Sequence, residues 1–258
     1  MQNTKSFIKN MIEKYPKLYK FAKDIKNGEY FKLNPLYYLK QIYYCRKYGD
    51  EIRINIGSGP NVKIHGWLTL DYAKSGWAKF DNSNISIDIN EEVSKGVPLK
   101  TKSVLAVYSS HFLEHLNWWE GMTFLREMYR ILKMGGAMRI IVPNGDYFIN
   151  RFYNKDNAFF RDPNKCYNHW VGNLTDTFVW NFLGAFYTKK RNFGCHAMFY
   201  NYDNLKYKLE KTGFSRIKKK SFNVSDCDDF QDEFKFFPNR KMPRELLSNS
   251  LFVECFKK

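Results

Sequence analysis

The sequence predicts an α/β protein built on a mostly parallel sheet that begins near residue 51. Three observations predict it. Ile52, Ile54 and Ile56 alternate with polar residues and run into the glycine turn Gly57-Ser58-Gly59. Short apolar runs then recur at 67–70, 85–87, 104–108 and 138–142, with intervening segments that suit crossovers between parallel strands. Between the last two runs, Trp118, Met122, Leu125, Met128, Tyr129 and Leu132 form a helical stripe, which Gly135-Gly136 is expected to stop.

The flanking elements follow in order. Residues 4–48 carry Phe7, Ile8, Met11, Ile12, Tyr15, Leu18, Tyr19 and Ala22 at helical spacing. Pro16 and Asn27-Gly28 break this stretch, and Pro35 opens a second helix through Tyr48. We therefore read 1–50 as an N-terminal helical extension and 51–258 as the main domain. Within it, 145–200 is an irregular insert, dense in Tyr, Trp, Asn and His, on the side where an acceptor would bind. Residues 201–212 read as a capped helix with Leu205 and Leu209 on one face, ended by Gly213. The runs 214–222 and 250–256 read as two closing strands.

Composition narrows the setting. Eleven Lys/Arg against three Asp/Glu in residues 1–48 supply half of the net charge of +16. A basic run (Arg216, Lys218, Lys219, Lys220) precedes an acidic one (Asp226, Asp228, Asp229, Asp232, Glu233). Such stretches suit nucleic acid, an anionic membrane or an acidic ligand, or are a solvated surface. A basic amphipathic helix in 4–48 could lie on the inner face of a membrane. Five cysteines without a CxxC pair argue against a disulfide framework and for a reducing, cytoplasmic setting. No run of 18 apolar residues is present, and the Lys-studded start does not read as a secretory signal.

The chemistry gathers at strand ends. The glycine turn, Asp71 and Asp88 close successive predicted strands, the place where open α/β sheets bind ligands. Glycines let main-chain N–H groups approach a ligand, the second-strand carboxylate suits ribose hydroxyls, and the third suits an adenine amino group. This set implies an adenosine-containing cofactor. A dinucleotide fingerprint is incomplete, because Val62 holds the third glycine position, and no P-loop is present. Asp71 follows Gly59 by only twelve residues, so 60–66 cannot hold a full helix and the first crossover is expected to be truncated.

The segments Ile54-Asn55-Ile56-Gly57-Ser58-Gly59-Pro60-Asn61 and Gly66-Trp67-Leu68-Thr69-Leu70-Asp71 resemble class I S-adenosylmethionine-dependent methyltransferases with a short first crossover. Ser109-Ser110-His111-Phe112-Leu113-Glu114-His115-Leu116 is similar to the SSHxLEH segment of that group, and 127–136 to its helix and turn before the fifth strand. Met134 stands where proline is usual, and Asn55 where many relatives are acidic. The resemblance covers 51–143 well and 196–256 loosely. It implies a Rossmann-like, three-layer sheet of about seven strands with an antiparallel last strand, and S-adenosylmethionine as cofactor. It places Asn55, Gly57, Ser58 and Gly59 around the methionine moiety, Asp71 with Tyr72 at the ribose, Asp88 and Ile89 at the adenine, and Ser109, Ser110 and His111 on the sulfonium side. Such relatives are often linked to polysaccharide assembly, which implies a sugar hydroxyl or other small molecule as acceptor.

Methyl transfer to oxygen needs an aligned nucleophile and usually a base. His111 is the first candidate, with His169 and His196 as further candidate catalytic residues. Each histidine also has a structural reading. The HxxEH pattern formed by His111, Glu114 and His115 lacks a third ligand in register, and Cys166/His169 and Cys195/His196 are poor zinc pairs, so no metal is expected. Two alternatives stand beside the small-molecule reading. One is an RNA or other nucleic-acid methyltransferase, favoured by charge but lacking the [Asn/Asp]-Pro-Pro-[Tyr/Phe] loop. The other is a non-catalytic S-adenosylmethionine-binding accessory protein.

Overall fold

The computed structural model describes residues 35–59, 63–72, 87–162, 172–183, 196–237 and 249–258. The expected helices within 4–34, together with Cys166, His169 and Cys195, lie outside them. The chain divides into two compact units, residues 1–49 with 98–100 and residues 50–97 with 101–258. In the first, α1 (Pro35–Tyr48) starts at the proline that opens it, where a missing N–H costs nothing, and Gln41 donates from its side chain to the Leu99 carbonyl at 3.0 Å.

The second unit is a seven-stranded sheet of order β3-β2-β1-β4-β5-β7-β6. Strands β1 (Ile52–Ile56), β2 (Leu68–Asp71), β3 (Ile89–Asn90), β4 (Val104–Ser110) and β5 (Leu132–Pro143) are parallel. β7 (Ser250–Lys257) runs antiparallel to both β5 and β6 (Phe214–Lys220), as expected for the last strand. Between β1 and β2 the described residues 63–67 contain no helix, so the short crossover does appear as loop and turn there.

Two expectations need correction. Asp88 precedes β3 instead of ending it, and Asn90 holds the strand's end, paired beside Asp71. Residues 85 and 86 of the expected run lie outside the described residues, and among those described β3 pairs with β2 at Ile89 and Asn90. Nor does Gly135-Gly136 cap a helix. α2 (Trp118–Ile131) ends at Leu132, whose backbone is already extended, and the chain enters β5 directly. Leu132 pairs with Val104 and Ala137 with Ala106, so residues 133–136 bulge from the ladder.

The helix side of the sheet is conventional. α2 starts at an Asn117–Glu120 capping box and buries Met122, Phe124, Leu125, Met128 and Ile131. After β5 come α3 (Gly145–Tyr153), α4 (Asn157–Arg161) and α5 (Leu174–Leu183). Here Phe148, Phe159 and Phe160 are buried against Tyr147, Phe152, Phe178 and Phe199, so much of the aromatic insert is the core of a small helical subdomain. α6 (Tyr202–Thr212) is capped by Asn201 and stopped by Gly213 in the left-handed conformation, as its sequence implies.

The opposite face is covered differently. A strap, residues 221–237, lies over it and buries Phe230 and Phe236 with Ile64, Trp67, Tyr108, Ile141, Phe252 and Phe256. Phe236 stacks on Tyr108 with ring centroids 3.6 Å apart. The strap is pinned by Arg139, which is fully buried. Its guanidinium meets Glu233 at 2.6 and 3.0 Å and Glu254 at 3.5 Å, and donates to the carbonyls of Ser221 and Val224. Beyond this cluster Arg53 pairs with Asp229 at 2.6 Å, and Lys218 and Lys220 both pair with Asp226, holding its carboxyl down at about 2. Between the basic and acidic runs, therefore, Asp226 pairs with Lys218 and Lys220, while Asp229 and Glu233 pair with arginines from β1 and β5.

Candidate active site

The carboxyl ends of β1 to β4 lie at one end of the sheet. The start of β7 joins them, because its antiparallel course sets Ser250 opposite Pro143 at the end of β5. The glycine turn is shaped by two left-handed residues, which only glycine adopts without strain. Gly57 (φ +70°) donates to the Leu70 carbonyl at 2.9 Å, and a Cβ there would sit 2.5 Å from the Phe112 ring. Gly59 (φ +72°) has nothing among the described residues within 4 Å of where its Cβ would be, so on that side it faces open space. Its N–H donates to Asp71 Oδ2 at 2.7 Å, while Asp71 Oδ1 accepts from the Tyr72 N–H at 2.6 Å. Burial pushes the Asp71 carboxyl up from its ordinary value, and these two donors partly offset that.

Asn55 is buried in β1 beneath the turn, and Ser58 donates to the Gly59 carbonyl. Asp88 accepts from both the N–H and the hydroxyl of Thr69 at 2.9 Å, tying the start of β3 to β2. Ile89 is fully buried beside Leu70. Ser110 is the last residue of β4, half-buried.

Past β4 the backbone turns sharply. His111 has φ +51°, and its N–H donates to the Ile141 carbonyl at 2.8 Å. A non-glycine residue in this region stores strain of about 1–2 kcal/mol, which such sites commonly hold. The ring lies between two partners: Nε2 is 3.0 Å from Ser250 Oγ, and Nδ1 is 3.3 Å from Glu114 Oε1. Glu114 occupies a 3-10 turn (Leu113–His115), and its carbonyl accepts from the Ala197 and Met198 N–H groups at 2.7 and 3.0 Å. That contact draws His196 in, so the His115 and His196 rings lie 5.1 Å apart. Burial pushes the Glu114 carboxyl up, but His111, His115 and His196 outweigh it and hold it below its ordinary value. Burial lowers His196 to about 4, keeping its imidazole neutral near pH 7.

The structure therefore brings together the glycine turn, Asp71 and Ser109–His111 at one end of the sheet, and gathers His196 and His115 around Glu114. Sequence reasoning missed Ser250 and Asn144. Ser250 becomes visible only once β7 is known to run antiparallel beside β5. Asn144 Oδ1 and Ser109 Oγ are buried without a hydrogen-bond partner among the described residues, at the ends of β5 and β4. Buried polar atoms of this kind normally find a partner, so both suit a ligand or ordered water. A cavity of about 430 Å3 lined by Lys206, Glu210, Arg216 and Lys258 lies at the other end of the sheet, apart from this cluster.

A family model described as a methyltransferase domain matches residues 68–140, the stretch that carries Asp71, Ser109–His111 and α2. No curated protein sequence matches the chain. Among solved structures, a SAM-dependent methyltransferase from Archaeoglobus fulgidus is 18% identical, with 93% of this chain and 100% of that one covered at a TM-score of 0.43. A SAM-dependent methyltransferase from Thermotoga maritima, described as a possible histamine N-methyltransferase, is 15% identical over 92% and 98% (TM-score 0.43). A phosphoethanolamine N-methyltransferase from Haemonchus contortus, in complex with S-adenosyl-L-methionine, is 13% identical over 85% and 52% (TM-score 0.42). At such scores these likenesses carry no weight beside the chain's own strand order. That order is the Rossmann-like arrangement of the class I methyltransferase fold, and residues 68–140 within it are similar to a methyltransferase domain.

Proposed function

We propose that this chain transfers a methyl group from S-adenosylmethionine to a hydroxyl of a small molecule or sugar, with His111 as the base. The observation that carries the reading is the position of His111. Its Nε2 faces a hydroxyl, that of Ser250, its Nδ1 faces the Glu114 carboxylate, and it follows directly on the strand end beside the glycine turn.

The residues present fit the cofactor. Among the described residues Gly59 faces open space and Ser109 Oγ lacks a partner, and Asp71 is a half-buried carboxylate with lone pairs beyond the two it shares with Gly59 and Tyr72. In this reading Asn55, Gly57, Ser58 and Gly59 line the methionine moiety, and Asp71 with Tyr72 holds the ribose. Asp88 and Ile89, at the β3 edge, flank the adenine. When bound, the cofactor supplies an electrophilic methyl group on a sulfonium. The negative charge of Glu114 favours the tautomer with the proton on Nδ1, leaving Nε2 free to accept. Ser250 marks where an acceptor hydroxyl would present its proton, and the imidazolium formed as that proton arrives is stabilised by Glu114. The aromatic insert is the proposed acceptor side, and His169 within it is a further proposed contact. His196 is proposed to act through Glu114.

Calorimetry with S-adenosylmethionine and with NADH tests the cofactor; heat with NADH alone would overturn the assignment. For the base, His111→Ala should bind the cofactor normally and lose at least 100-fold in turnover. A His111→Ala protein that turns over at the wild-type rate would remove His111 from the role.

A further inference from the structure

Glu114 presents an unusual problem. Its side chain is almost wholly buried, yet neither carboxylate oxygen has a hydrogen-bond partner among the described residues. The nearest donor is His111 Nδ1, a long 3.3 Å from Oε1. A buried carboxylate with one long contact to an imidazole is poorly compensated, and a cation beside it would supply what is missing. What surrounds it is imidazole. His115 Nε2 lies 3.9 Å from Glu114 Oε1, and one ligand atom each from Glu114, His115 and His196 can be chosen so that all three lie within 4.8 Å of one another.

We propose that Glu114, His115 and His196 bind one divalent transition metal of the zinc type. The donor set, two imidazoles and one carboxylate, is the set that zinc takes at three-ligand sites with an open fourth position. Around a tetrahedral zinc, ligand atoms 2.0–2.2 Å from the ion stand roughly 3.4 Å apart, so the present separations close with small side-chain rotations. Two features hold the site in place. The Ala197 and Met198 N–H groups anchor the segment bearing His196 to the Glu114 backbone. His111, beside Oε1, is placed to orient the ligating carboxylate from outside, as partners of metal ligands do. The pattern is invisible in sequence because the third ligand comes from 82 residues beyond Glu114, across β5 and the helical insert. The site ties the segment leading into α6 to the end of β4, and it does not depend on the methyl-transfer reading.

The test uses the full chain, free of any histidine tag, purified without chelator. Metal content is measured directly; the protein is then stripped with EDTA and titrated with Co2+ and with Zn2+, following the visible absorption of bound Co2+. About one metal per chain is expected. His196→Ala and Glu114→Gln should each weaken binding at least ~10-fold, and the exposed-site control His65→Ala should not. A folded chain that takes up neither ion, or that binds them equally in both variants, overturns the proposal. Should His196→Ala fail to fold, the wild type decides: its thermal midpoint must rise with added Zn2+, and an unchanged midpoint overturns the proposal.

Discussion

The two glycines of the turn separate backbone strain from steric contact, and alanine substitution measures both. At Gly57 (φ +70°), alanine incurs about 1–2 kcal/mol for the left-handed backbone alone. Its Cβ would also lie 2.5 Å from Phe112 Cγ and Cδ2 and 2.6 Å from Phe112 Cβ. That is more than 1 Å inside ordinary carbon contact, and forcing the ring aside adds about 1–3 kcal/mol. Gly57→Ala should therefore cost about 2–5 kcal/mol in all. Gly59→Ala meets the same backbone strain (φ +72°) but no neighbour within 4 Å among the described residues, so its loss should stay near 1–2 kcal/mol. Denaturant unfolding of each variant measures the difference. A double-mutant cycle with Phe112→Ala assigns it, because removing the ring should reduce the Gly57→Ala penalty to the backbone part. The reasoning fails if Gly57→Ala is no worse than Gly59→Ala, or if Phe112→Ala leaves its penalty unchanged. In the proposed function Gly59→Ala has a second effect: its methyl enters the open space facing the ligand, so cofactor affinity should fall further than stability does.

Further outcomes follow from other parts of the molecule. Arg139→Met leaves Glu233 and Glu254 buried without their cation and should destabilise by about 3–5 kcal/mol; a loss below 1 kcal/mol in urea unfolding would show that the cluster does not hold the strap. Phe236→Ala removes the ring stacked on Tyr108 and should cost about 3–5 kcal/mol by the same measurement, with a near-neutral result refuting the packing. Asp71 is pushed up by burial, so in the proposed function the ionised form that would accept ribose hydroxyls is complete above that raised value. Cofactor affinity, measured by titration at several pH values, should fall as pH drops through it, and Asp71→Asn should flatten the dependence. The same shift makes Asp71 favour folding at acid pH, a contribution lost as pH rises through the raised value, so weaker binding at low pH cannot be assigned to unfolding at this group.

How much of this was legible depended on what set each feature. The central strands were, because buried parallel strands write themselves as short apolar runs, and Asn201 and Gly213 announced α6 by capping chemistry alone. Gly135-Gly136 misled because glycine serves a helix stop and a strand bulge equally well, and pairing with β4 decided between them. Asp88 precedes its strand where the sequence suggests that it ends it, because a two-residue strand has too little period to locate its end. Nothing in the acidic run marks a buried member, yet Glu233 is buried; its partner Arg139 is 94 residues away and no local pattern links them. The glycine turn and Asp71 were readable from spacing. The gathering of His115 and His196 about Glu114 was not, since it depends on where the chain returns after the insert.

The strap's anchor has a consequence for how the sheet is made. Arg139 and Glu254 face each other across the β5–β7 ladder, and both must point to the strap side for Glu233 to dock. A slip of one residue between these strands would turn one of them to the helix side, leaving Glu233 without its cation or Arg139 without its second carboxylate. The cluster therefore works as a gauge of register. Only a correctly aligned β5–β7 pair presents a surface on which the strap can close, so misaligned sheets remain open on that face and are distinguishable from the native protein by the exposure of Trp67 and Phe230.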